Sequence, residues 1–397
     1  MLLRIALNLL ADRRHPPLSK LAKIEKPKKF LWSILPSIAR SFSFCIAFLP
    51  NRLAPSLAVA YAYCRMLDTY EDVAANPSER TRLLGEFIDR FPDSDQMPEP
   101  APSLGSGLCG DPSEESHILL VSRSALVDSI YCELPPDHRA AIRRLVRRMG
   151  TGMIWATETF IRQGGSLRSS EQLSRYCSSV LGNPVLFAEE MQRLDMGLPP
   201  QLAEDRRKMC AFVGEVVQLA NITRDLEKDC RRGVYYHSAL ADCSSEQERA
   251  EVIGPVRREL ITRAFGLGRV FRPFVAGIPS RNQSLARGSA LLMILFTVAF
   301  YQGAARRAGL PVAEWETLSR RRAAWVWLWG TLSRNATSRY LSRLESDLAT
   351  AFEHCLPLVR SPATNLQGDW VLTPASWVGS RIQNVKSQTT SKPKIQD

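Results

Sequence analysis

Apolar residues recur at intervals of three and four along five long windows, 57–67, 141–160, 209–222, 290–304 and 340–356, the spacing that lines one face of an α-helix. Alternating Val, Ile, Thr and Tyr runs closed by Asn-Gly or Asp-Gly turns, the signature of strands, form no convincing series. The pattern predicts an all-α protein. One stretch interrupts it: "FPDSDQMPEPAPSLGSGLCGDPSEES", residues 91–116, is rich in Pro, Ser, Gly and acid and predicts a loop or disordered insertion between two helices of one domain. The chain then divides into a basic, amphipathic N-terminal segment (1–30), a single helical domain (31–358) carrying that insertion, and a largely disordered tail (359–397) that is polar after about Ile382. No repeat of fixed period is visible.

Composition keeps this picture and adds charge. The 397 residues are 45% hydrophobic and 23% charged, an ordinary globular balance. Basic residues outnumber acidic ones by 52 to 40, and all but ten of the basic ones are Arg. Arginine offers a planar fork that matches phosphate oxygens in pairs and keeps its charge when partly desolvated. A solvated basic surface, a polyanionic ligand inside the fold and an anionic membrane surface outside it all fit this excess. Nucleic-acid binding is the weakest reading, because no basic helix with interleaved aromatics or reader module is present. Nine cysteines without a C-x-x-C pair predict reduced thiols in an intracellular protein. Five scattered histidines give no zinc spacing, so any metal must take oxygen ligands.

Two segments bear on membranes. The N-terminal "MLLRIALNLLADRRHPP" has no small-residue cleavage site and predicts an interfacial or docking helix rather than a secretory signal. Residues 288–305 carry no charge, which touches the lower limit of a membrane span, but Ser289, Thr297, Gln302 and Gly303 favour a core helix. The location expected is cytoplasmic, with peripheral contact on the inner face of a membrane.

The chemistry concentrates at two helix ends. After the apolar run "LAPSLAVAYAYCRML" come Asp68, Glu71 and Asp72, which share one helical face. In "GEVVQLANITRDLEKDCRRG", Asn221, Asp225 and Asp229 repeat that arrangement at i, i+4 and i+8. Like charges about 4 Å apart cost on the order of 4 kcal/mol at an effective dielectric near 20, so such faces need cations. Local basic residues answer the need if Arg65 neutralises Asp68 and Lys228 neutralises Asp225. Mg²⁺ answers it equally, since it accepts hard oxygen ligands and fills its remaining positions with substrate phosphate. Arg224, Arg231 and Arg232 then stand beside the ligands as phosphate partners.

At these residues the sequence resembles the squalene and phytoene synthase family, the head-to-head branch of the all-α prenyl synthases, over roughly residues 31–327. "SFSFCIAFLP" with "AVAYAYCRMLDTYED" resembles the family's first aspartate-rich region and "QLANITRDLEKDCRRGVYY" its second. "MGTGM" (149–153) and "YCSSVLGNP" (176–184) fall between them, where the family has its central helices. The resemblance implies an isoprenoid-synthase-type helical barrel around a central apolar cavity. It implies Asp68, Glu71, Asp72, Asn221, Asp225 and Asp229 as Mg²⁺ ligands, with the four aspartates catalytic. Arg40, Ser41, Tyr61, Arg65, Gln218 and Arg224 match positions lining the diphosphate and prenyl sites, and Tyr176 matches a tyrosine implicated in proton transfer and cation handling. Core packing for Tyr61 and Tyr176 and an ion pair for Arg65 are the plainer alternatives.

Two features depart from the family pattern. Lys228 stands where the second region usually carries an acid. The first motif, D-T-Y-E-D, is closer to squalene synthases, whereas "DCRRGVYY" is closer to bacterial carotenoid enzymes. The implied reaction joins two farnesyl diphosphates through presqualene diphosphate to squalene, with NADPH as possible hydride source, although no G-x-G-x-x-G fingerprint is present. Phytoene, dehydrosqualene or hydroxysqualene as product, and a non-catalytic relative acting as an assembly factor, are the alternatives.

Overall fold

A computed structural model of the chain describes residues 17–39, 41–74, 76–92, 96–105, 114–278, 284–310 and 320–359. Helix follows helix: α1 Pro27–Ala39, α2 Ser41–Ala47, α3 Ala54–Val73, α4 Pro77–Asp89, α5 Glu115–Ser122, α6 Ser124–Cys132, α7 Pro136–Arg162, α8 Ser170–Cys177, α9 Asn183–Asp195, α10 Glu204–Arg231, α11 Glu246–Leu267, α12 Phe271–Ala276, α13 Ser284–Arg307, α14 Arg320–Leu332 and α15 Arg334–Val359. All five apolar windows lie inside helices. Among the described residues there is no strand; one isolated bridge joins Ser166 to Tyr235.

Local chemistry sets the ends. Asn76, Ser169 and Ser245 each accept a hydrogen bond from the backbone N–H three residues on, capping α4, α8 and α11. Gly233, at φ 73°, ends α10 in the left-handed region, where Val234 N–H closes on Asp229 O at 3.0 Å. The reversed chain then pairs Tyr235 N–H with Gly165 O at 2.8 Å and Leu167 N–H with Tyr235 O at 2.9 Å. Gly165 is required there, because a Cβ would stand 2.4 Å from Gly233 O.

The core runs between α3, α7, α9, α10, α11 and α13, with fully buried Tyr63, Met153, Cys177, Leu219, Phe265 and Leu295. Helix α10 lies against a π-helical turn, Ser178–Gly182, so closely that a Cβ on Gly214 would sit 2.3 Å from Gly182 N. Helix α13 is long and apolar enough to cross a membrane (mean hydropathy 1.6), but two-thirds of that window is buried, mostly against α2, α10, α11 and α14.

The boundaries differ in detail from those predicted. Helix α1 begins at Pro27 and buries Phe30, so the break placed at residue 30 falls inside a helix. Within the insertion, residues 96–105 are irregular but held: Arg90 Nε donates to Glu99 O at 2.7 Å and the Tyr70 hydroxyl to Pro102 O at 2.7 Å. Residues 106–113, the first sixteen residues and the tail from 360 lie outside the described residues.

Candidate active site

The C-terminal ends of α3 and α10 meet. Across the junction Arg232 Nη1 reaches Asp72 Oδ1 at 3.0 Å, and Asp229, Asp72 and Glu71 lie close enough to perturb one another. On α3, Arg65 pairs with Asp68 at 3.2 Å and donates to the Tyr61 hydroxyl at 3.1 Å. On α10, Arg224 grips Asp225 with two bonds, 2.8 and 2.6 Å, and lies over the Phe300 ring. Asn221 donates to Gln218 Oε1 at 3.2 Å.

Arginine thus answers part of the charge, but Lys228 does not neutralise Asp225 as its spacing suggested. It turns to Glu114 at 3.2 Å, whose carboxylate also takes Arg232 at 3.5 Å and His117 at 2.6 Å. Burial raises the Glu114 carboxyl, yet the bonds from His117 and the nearby Lys228 charge override it and hold the group well below its usual range.

Glu71 and Asp229 have no ion-pair partner within 4 Å among the described residues. Burial, reinforced by Asp72 and Asp68, lifts Glu71 to about 8. Burial, reinforced by Asp225 and Asp72, lifts Asp229 to about 7. Asp68 rises to about 6 through burial, against the pull of Arg65. These half-buried carboxylates are short of positive charge, Glu71 and Asp229 most of all. Their chemistry, carboxylates with an amide alongside, fits Mg²⁺, which holds few protein ligands. Among the described residues no three Asp, Glu, His or Cys side chains form a ready cage for one ion, so phosphate or water must complete any such shell.

Beside the acids sits an aromatic group. The hydroxyls of Tyr176 and Tyr236 are 3.1 Å apart and Phe160 meets both rings edge-on. Both tyrosines are buried, which drives their hydroxyls up, and the Glu71 and Asp229 charges add to it. Next to Asn221 an open cleft, walled by Phe42, Val217, Met293, Phe296 and Phe300 with Ser41 at its edge, has room for about one water molecule. The side chains fill most of the space where a central apolar cavity was expected.

The structure therefore brings together Asp68, Glu71, Asp72, Asp225, Asp229, Arg65, Arg232, Tyr61 and Tyr176, and sets Ser41, Gln218, Asn221 and Arg224 along the same side of α10. Arg231 points outward, exposed and without a partner among the described residues. Arg40 lies outside the described residues. Sequence reasoning missed Glu114, hidden in a segment expected to be loop, and Tyr236, although the latter stands inside the quoted "GVYY".

The squalene/phytoene synthase family profile matches residues 35–307. Squalene synthase 1 of Arabidopsis thaliana is 28% identical over 229 residues, covering 55% of this chain and 51% of its own. The bifunctional lycopene cyclase/phytoene synthase of Colletotrichum graminicola is 23% identical over 312 residues, covering 74% of this chain and 49% of its own. Inactive squalene synthase 2 of Arabidopsis thaliana is 25% identical over 234 residues, covering 54% and 51%. The chain spans about half the length of the curated relatives it matches. A solved structure of TcSQS with a bound ligand superposes with a TM-score of 0.64 at 18% identity, over 84% of this chain and 97% of that one.

Proposed function

The chain belongs to the squalene/phytoene synthase family, and from that premise we propose that it condenses two farnesyl diphosphates head to head to presqualene diphosphate, and that loss of the second diphosphate and transfer of a hydride from NADPH give squalene. The observation that carries this reading is the meeting of two acid-bearing helix ends beside a buried tyrosine pair. Asp68, Glu71 and Asp72 from α3 would hold Mg²⁺ together with Asn221, Asp225 and Asp229 from α10. Bound there, Mg²⁺ would supply positive charge to the departing diphosphate.

The remaining work falls to the chain's own residues. Arg65, Arg224 and Arg232, now engaged with carboxylates, are placed to exchange those partners for phosphate oxygens once cations occupy the acids. Phe42, Phe296 and Phe300 keep water from the allylic cation, and the Phe160, Tyr176 and Tyr236 rings offer it their faces. The Tyr176 hydroxyl, 3.1 Å from Tyr236, holds a proton beside Glu71 and Asp229. For a nicotinamide, no strand–turn–helix cradle exists among the described residues, and no residue is assigned to hold it.

Purified protein given farnesyl or geranylgeranyl diphosphate with Mg²⁺, with and without NADPH, and lipid extracts read by mass spectrometry, test the reading. Squalene formed only with NADPH supports it. Dehydrosqualene or hydroxysqualene keeps the condensation and corrects its ending; phytoene from the longer substrate, with farnesyl diphosphate untouched, overturns it. A second reading, a non-catalytic binding protein, is favoured by the arginines that already occupy Asp72 and Asp225. It predicts substrate binding with no product in any arm.

A further inference from the structure

Helix α14 has two apolar faces, and only one is packed. The inner face, Ala323, Val326 and Gly330, is buried against α13, where Gly330 closes on Gly288. Arg287 fixes this pose by donating to Gly330 O at 2.8 Å and Thr331 O at 2.9 Å. The outer face carries Trp325, Leu328, Trp329 and Leu332, which are 57%, 37%, 53% and 69% exposed. Their i, i+3, i+4, i+7 spacing makes one stripe. The two indoles stack at 6.4 Å with planes 19° apart, so they present a single flat patch. A lone exposed leucine is ordinary, but four large apolar side chains on one stripe mark a contact surface.

The charge around the stripe selects the contact. From 317 to 344 the chain carries six arginines and no acid, and Arg322, Arg334, Arg339 and Arg343 are exposed. Asp347 answers Arg343 at 4.0 Å, but a second copy docking on the α14 stripe itself would still set Arg322, Arg334 and Arg339 against their own counterparts, because that helix carries no acid. An acidic lipid surface answers both features. Indoles settle at the level of the headgroups, where one edge is apolar and the other wet, and arginines beside them meet lipid phosphate. Helix α13 underneath shows no exposed position between 284 and 305, so the contact is with the face of a bilayer rather than through it.

We propose that the outer face of α14 is an interfacial docking surface for an anionic lipid bilayer, with Trp325 and Trp329 as its anchors. This does not rest on the reaction proposed above. The test is flotation of the full chain with phosphatidylcholine vesicles with or without phosphatidylglycerol, at low and high salt. Wild-type protein should float with the acidic vesicles and be released by salt. The double variant Trp325→Ala/Trp329→Ala, and separately Leu332→Glu, should each lose about tenfold or more in vesicle affinity while helical circular dichroism and turnover of detergent-dispersed substrate stay unchanged. Variants that float like the wild type overturn the proposal. So does a wild-type chain that ignores acidic vesicles, which would leave the stripe to the apolar tail segment 370–378. A dimer in sedimentation that the variants dissociate, with vesicle binding intact, would assign it to a second copy instead.

Discussion

The hydroxyl of Tyr176 lies 3.1 Å from that of Tyr236, and both side chains are buried. Tyr176→Phe is expected to lower turnover by about 100-fold if its proton takes part in the chemistry, and Tyr236→Phe, which only frees its partner, by about tenfold. The double variant should cost less than the product of the two, because both act through one contact. Fully multiplicative losses in steady-state rates would separate the pair.

Metal dependence follows from the two acid-bearing helix ends, where Asp229 has no ion-pair partner among the described residues and Asp225 has only Arg224. Asp225→Asn and Asp229→Asn are each expected to reduce prenyl diphosphate turnover by about 100-fold or more, with the circular dichroism of the fold retained. Full activity in EDTA contradicts the assignment, and unfolding of either variant would make the carboxylates structural.

Stability should depend on pH in a particular direction when metal is withheld. Glu71, Asp229 and Asp68 are raised to about 8, about 7 and about 6. A group raised above its unfolded value stabilises the fold fully below that value, and its contribution is lost as pH climbs through the folded value. The metal-free protein should therefore melt at lower temperature near pH 9 than near pH 5, with the fall spread over about pH 5 to 8. Mg²⁺ should recover the loss at the alkaline end, because it takes the place of those protons. A melting temperature flat across this range, with and without Mg²⁺, would contradict the clustering.

The core contains an ion pair whose loss should be felt globally. Arg263 donates to Glu215 at 2.7 and 2.9 Å and to Ser174 Oγ at 2.7 Å, and both charged side chains are about 95% or more buried. Arg263→Met strands the Glu215 charge and is expected to cost about 3–5 kcal/mol by denaturant unfolding. A loss below about 1 kcal/mol would mean that Glu215 takes up a proton at little cost.

Glu114 collects Lys228, Arg232 and His117. Glu114→Gln should lower stability by about 1–3 kcal/mol and release Arg232 towards Asp72, seen as a changed Mg²⁺ requirement for turnover. Unchanged stability and Mg²⁺ dependence would make the contact incidental.

The helices were legible because apolar spacing is local: α3, α7, α10 and α15 each carry their own stripe, and α13 is an apolar run without charge from 288 to 305. The two acid faces were legible for the same reason, as Asp68 with Asp72 and Asp225 with Asp229 share faces within single helices. The partners of those acids were not legible. Lys228 is three residues from Asp225, yet its ammonium crosses to Glu114, just before α5 and more than a hundred positions away, a partner that helical spacing within α10 does not show. Tyr236 was hidden by the left-handed turn at Gly233, beyond which helical spacing says nothing. The outward stripe of α14 has the same composition as a core helix, and only packing tells its two faces apart.

The turn at Gly233 has a mechanical consequence. Asp229 O holds Val234 N–H, and Tyr235 is latched on both sides to the 165–167 segment, so the last turn of α10 and the chain leading to Tyr236 behave as one short lever. A tilt of α10 that spreads the acid cluster carries Tyr236 with it and changes its reach to Tyr176. In the proposed reaction, the acids that would release a charged group and the tyrosine that would steady what remains are then geared together through a single glycine.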